Sequence, residues 1–264
     1  MLERWRSTEG SMTRGRALTL LLFALVIAYV LWNVELFDFI MYPVRLFVTY
    51  AHEAGHSAMA LLTGGHVVGF SVSSDGSGVA RTIGGTRALI LPAGYLGAAL
   101  FGAALFYLAN TVRRPRSIAI GLGIVLIVFS VLFAAPDPGG APLALIVGLA
   151  FGAALIGMGW KLDRDINLLV LNVLALLTAL NAVLDLVNLT RFSRATETVC
   201  GRGTLNDAAA FSCEVASGIP PYIWAGLWAL IALALVAATA YYAILRPLLK
   251  SGVREEAKPT LPTV

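Results

Sequence analysis

Seven runs of apolar residues, each about as long as a bilayer-crossing helix, constrain this chain more than any other feature. They cover roughly 17–36, 42–63, 88–110, 117–134, 141–160, 166–188 and 221–246. A helix rises about 1.5 Å per residue, so about 20 residues cross the hydrocarbon core. Of the 264 residues, 58% are hydrophobic and only 13% are charged. A soluble domain carries about a quarter charged residues, and this chain has too few to coat a water-facing surface. The expectation is an all-α polytopic membrane protein with about six to seven transmembrane helices. These form one domain over 17–246, flanked by 1–16 and by a charged, proline-containing tail at 251–264 expected to be disordered. The bilayer is its first partner.

Arg14 and Arg16 precede the first run, which is longer than a signal-peptide core and lacks a small-residue cleavage site, so it reads as an uncleaved span. The net charge of +4 comes from the tails and from short connections such as Arg113-Arg114-Pro115-Arg116. That distribution suits anionic lipid head groups, and no nucleic-acid partner is expected. Counting Lys and Arg on alternate sides of seven spans gives a near tie, so the count assigns no orientation. Cys200 and Cys213 share the polar connection 189–220 and could pair if it faces an oxidising space.

Residues 64–87 break the helical pattern. His66 to Val72 partly alternates, Ser74-Asp75-Gly76-Ser77-Gly78 supplies a turn, and Val79 to Ile83 follows. Two such runs about an Asp-Gly pair predict a β-hairpin.

The chemistry lies in His52-Glu53-Ala54-Gly55-His56, inside the run 42–63. Residues four apart share one face of a helix, so both imidazoles can reach one metal ion. Zinc takes nitrogen ligands readily, and a catalytic site keeps a position open for water. Glu53, beside the site, is the candidate general base. With three histidines and eight glutamates in the chain, the motif arises by chance on the order of once in a thousand such sequences. Ionisable groups at this depth are costly and functional by default. Gly55 and Ser57 are small enough to admit a neighbouring helix or a substrate. His66 reads as a solvated loop histidine. A third ligand must come from elsewhere. Asp185, near the end of the run 166–188, is the expected one. Asn181 lies one turn earlier, suited to bind that carboxylate or a developing oxyanion. Asp75 and Asp137 sit in turns that favour aspartate for local reasons.

These residues resemble the intramembrane site-2 zinc protease clan, and within it the M50B-like membrane peptidases. The resemblance is carried by His52 to His66, with its Gly64-Gly65 exit, by Asp75 to Gly78, and by Pro92-Ala93-Gly94-Tyr95-Leu96-Gly97. Asn181 to Asp185, Asn206-Asp207-Ala208 and Gly218 to Ala225 also match, so the likeness covers most of 45–235. It implies Zn2+ held by His52, His56 and a carboxylate on a later helix, with Glu53 as base. It also implies hydrolysis of membrane-protein or peptide substrates, with the hairpin edge receiving an unwound chain. Leu184-Asp185-Leu186 stands where site-2 proteases proper carry Leu-Asp-Gly. Asn206 and Asp207 are expected to cap a short helix. Two rivals use the same residues: an inactive membrane scaffold or chaperone, and a metal-ion carrier. The expected location is a prokaryotic inner membrane.

Overall fold

A computed structural model describes residues 14–195, Cys200 and 206–246. The expected disordered tail at 251–264 and most of the flank at 1–16 lie outside the described residues. Helix α1 is Arg14–Asn33, and a short 3-10 turn, Glu35–Phe37, leads into α2, Asp38–Leu62. Strands β1, His66–Val72, and β2, Gly78–Ile83, form the hairpin. Then come α3, Arg87–Thr111; α4, Pro115–Phe133; α5, Leu143–Lys161; and α6, Arg164–Ala195. A short α7, Asp207–Glu214, precedes α8, Pro221–Ala240.

Among the described residues, five helices are long and apolar enough to cross a membrane: Arg87–Thr111, Pro115–Phe133, Leu143–Lys161, Arg164–Arg191 and Pro221–Ile244. The first apolar run contributes a shorter apolar helix, Leu21–Leu31. Helix α2 is not among the five, because Arg45, His52, Glu53 and His56 interrupt its apolar stretch.

The bundle closes around the middle of α2. Tyr50 and Phe47 are almost completely buried. Phe47 stacks on Phe151 of α5 with ring centroids 4.5 Å apart, and Tyr50 meets Phe70 of β1 edge-on at 5.0 Å. The Tyr50 hydroxyl lies 2.7 Å from that of Ser130 on α4, which itself donates to the Leu126 carbonyl. A buried hydroxyl without a partner would be costly, so this pair fixes the rotation of α2 against α4.

The hairpin forms where the alternation predicts it. Its strands pair antiparallel from His66 opposite Ile83 to Val72 opposite Gly78, with an irregularity between Val67 and Gly69. In the turn, Asp75 Oδ1 accepts from the Ser77 amide at 2.9 Å and the Ser77 hydroxyl at 2.7 Å. The hairpin folds back along α2. Tyr42 donates to the Ser74 carbonyl at 3.0 Å, and Thr49 to that of Gly76 at 2.8 Å. One edge of β1 is covered, because the Ala135 amide donates to the Phe70 carbonyl. The outward edge of β2 therefore remains to face the site, and edges at membrane depth need such a partner.

Candidate metal centre

The i, i+4 spacing does what helical geometry requires. His52 and His56 turn toward α3, with their Nε2 atoms 3.0 Å apart. Helix α3 comes this close because its small residues allow it. A Cβ on Gly55 would run into the Ala93 carbonyl, and Gly97 would leave only 3.2 Å to the Gly55 Cα. Pro92 cannot donate a backbone hydrogen bond within α3. In that region the Ile90 carbonyl accepts from His56 Nδ1 at 2.7 Å. That bond makes Nδ1 a donor and turns Nε2 toward Asp207 and His52, the nitrogen a metal would take once Nε2 is deprotonated, an outer contact that orients a ligating histidine.

The third atom of the cluster comes from α7. Asp207 Oδ2 lies 3.1 Å from His52 Nε2 and 3.3 Å from His56 Nε2. His52, His56 and Asp207 thus offer three donor atoms within 4.8 Å of one another. Tetrahedral zinc, with bonds of about 2.0–2.1 Å, places its ligands about 3.3 Å apart. The three observed separations fall close to that edge. Gly94 supplies a second test of fit, because a Cβ there would collide with the Nε2 atoms of both histidines. The space those nitrogens point into is therefore kept clear of side chain. Burial opposes the ionised form of Asp207, but the two imidazoles hold its carboxyl well below the ordinary carboxylate range.

The expected ligand Asp185 is not one of these three atoms. It lies on the wall of the same cavity, where its Oδ2 accepts from Asn181 Nδ2 at 2.7 Å. Asn181 therefore makes the expected bond to the Asp185 carboxylate. Asn206 does cap α7, accepting from the Ala209 amide at 2.9 Å, so that part of the expectation holds. Its neighbour Asp207 is the residue sequence reasoning passed over. The available signal was the Asn-Asp pair lying between two cysteines. Its weakness was that Asp in a first helical turn needs no further explanation.

Glu53 is buried and held by the hairpin. It accepts a hydrogen bond from the Ala80 amide, and a Cβ on Gly78 would lie 2.6 Å from its Oε1. The strand thus comes close enough to fix the carboxylate only because residue 78 has no side chain. Tyr95 of α3 walls the opposite side, its ring edge-on to His52 with centroids 4.4 Å apart. The cavity enclosed by these groups measures about 430 Å³, and Gly78, Ala80 and Thr82 of β2 line it together with His52, Glu53 and Asp207. His66 is exposed on the hairpin and takes no part.

No curated protein and no solved structure matches the chain. A family model described as Peptidase M50B-like matches residues 20–239, which include every residue of this centre. A multi-pass membrane chain with a His-Glu-x-x-His helix, and a match over most of its length, belongs to the Peptidase M50B-like family.

Proposed function

We propose that this protein is an intramembrane zinc metalloprotease whose metal is held by His52, His56 and Asp207. What supports the reading most is the convergence of three donor atoms at 3.0–3.3 Å beside a glycine that keeps their meeting point clear. Bound there, zinc would act as a Lewis acid on water and on the scissile carbonyl.

The chain's own residues do the rest. Glu53 takes a proton from the attacking water and returns it to the leaving amine. Its bond to Ala80 keeps the carboxylate beside β2. The outward edge of β2, lining the cavity at Gly78, Ala80 and Thr82, pairs with an extended substrate strand through its backbone groups other than the Ala80 amide, which Glu53 occupies. Such pairing selects unwound segments, since a helix has already spent its backbone groups. Asp185 and Asn181 line or flank the cavity as polar wall, not as ligand and oxyanion donor. The membrane is proposed to be a prokaryotic inner membrane.

The test is metal content of protein purified in detergent: wild type, His56→Ala, Asp207→Ala and Asp185→Ala. The expected result is about one zinc per chain in wild type and Asp185→Ala, and none in the other two. Zinc kept by Asp207→Ala but lost by Asp185→Ala would return the ligand to α6. No zinc in reconstituted wild type would overturn the protease reading and leave a scaffold. Zinc without hydrolysis of any membrane peptide would favour a metal carrier.

A further inference from the structure

The carboxylate that meets the histidines does not sit on a span. Asp207 opens a helix of eight residues, too short to be stable by itself. Its far end is tied down twice. Cys213 is bonded to Cys200. Glu214 forms a two-pronged ion pair with Arg87 at the start of α3, 2.7 Å from Nε and 3.0 Å from Nη2. Between them Phe211 packs on Trp224 and Trp228 of α8. Of these ties only the disulfide depends on the compartment, since cytosolic thiols are kept reduced.

The charges at the ends of the helices from α3 onward bear on the same question. The Arg116–Asp163 pair, 3.5 Å apart, joins the α3–α4 connection to the α5–α6 connection at one end of the bundle. Arg113, Arg114, Arg116, Lys161 and Arg164 belong to that end, and Arg246 follows α8 to it. At the other end the connection 134–142 carries no Lys or Arg. It joins the hairpin through the Ala135–Phe70 hydrogen bond, and α7 joins the first residue of α3. Arg81, Arg87 and Arg191 also stand at this end, with Arg87 matched by Glu214. Basic short connections remain cytoplasmic, so the hairpin and α7 lie on the opposite face.

We infer that the metal centre opens toward an oxidising, extracytoplasmic space, and that the Cys200–Cys213 bridge formed there positions Asp207 on the histidines. This rests on reading Asp207 as a ligand. In forming the bridge, the two thiols give up two electrons and two protons to a disulfide-bearing oxidant by thiol–disulfide exchange. Neither cysteine belongs to the donor cluster or lines the cavity, so both act through Asp207. Assembly of the centre then follows export of this face, and the chain stays silent while its thiols are reduced.

Two measurements test this with the full chain. The first compares zinc affinity, and the visible spectrum of the cobalt-loaded protein, for wild type, Cys200→Ser/Cys213→Ser, Asp207→Ala and all three changes together. The cysteine variant is expected to bind zinc about 10- to 100-fold more weakly, with a changed cobalt spectrum. Adding Asp207→Ala should remove no more than Asp207→Ala does alone. Wild-type affinity in the cysteine variant, or losses that simply add, would overturn the positioning role. The second uses a membrane-impermeant maleimide on intact cells, with Ala141→Cys or Arg113→Cys introduced beside Cys200→Ser/Cys213→Ser. Labelling at 141 but not 113 is expected, and the reverse overturns the orientation. Wild type that binds no zinc would instead defeat the ligand reading, while the labelling still decides which face is outside.

Discussion

Gly94→Ala is the sharpest perturbation of the proposed centre, because it adds one methyl group and changes no ligand. That methyl would collide with the Nε2 atoms of His52 and His56. Relieving the collision means swinging both rings by more than about 0.5 Å, against a tolerance of about 0.2 Å in metal–ligand distance. An apparent binding free energy of about 10–16 kcal/mol, shared over four ligands, is about 3 kcal/mol each. Disturbing both histidines therefore forfeits about 6 kcal/mol, a factor of about 10⁴ in affinity. The backbone should not suffer, since alanine is favoured over glycine inside a helix by about 1 kcal/mol. Gly157→Ala on α5 is the control, because a Cβ there meets nothing within 4 Å. The assay is competition with a chromophoric zinc chelator in detergent, alongside thermal unfolding of the metal-stripped proteins. The expected outcome is unchanged unfolding in both variants and loss of zinc in Gly94→Ala alone. Less than a tenfold loss of affinity in Gly94→Ala would show that the metal does not lie where the Gly94 face meets the two imidazoles.

Glu53→Gln should keep zinc and lower hydrolysis by about 10²- to 10⁴-fold, read from single-turnover cleavage of a membrane peptide. If zinc is lost as well, Glu53 has a structural task that the proposal lacks. Gly78→Ala, whose Cβ would press on Glu53 Oε1 and Cγ, should reproduce that pattern with a smaller loss. Normal turnover there would mean that β2 does not set the base. Tyr50→Phe removes the hydroxyl partner of Ser130, which keeps its bond to Leu126. It should cost about 1 kcal/mol of stability with zinc affinity unchanged, measured by denaturant unfolding in micelles.

Much of this protein was legible along the chain, because membrane constraints act locally. A span must be apolar over its whole length, so the helices long and apolar enough to cross announce themselves among the seven runs, and charge inside such a run marks the site. The His52–His56 spacing reads directly, since helical periodicity needs no knowledge of the rest of the fold. The hairpin is also local, its Asp75-Gly76 turn between two alternating runs. What only the tertiary structure decided is which carboxylate arrives. Asp185 lies in an apolar helix, where an acid is conspicuous, yet it is bonded to Asn181 on the cavity wall. Asp207 lies in a polar stretch, where an acid is unremarkable, yet it reaches both imidazoles. Nothing local separates them. The difference arises from α7 being held onto the start of α3 by the Glu214–Arg87 ion pair, 127 residues apart in sequence, while Cys213 ties the same helix to Cys200. The glycine at 94 is equally silent until α2 crosses it, because a missing side chain acquires meaning only from what approaches it.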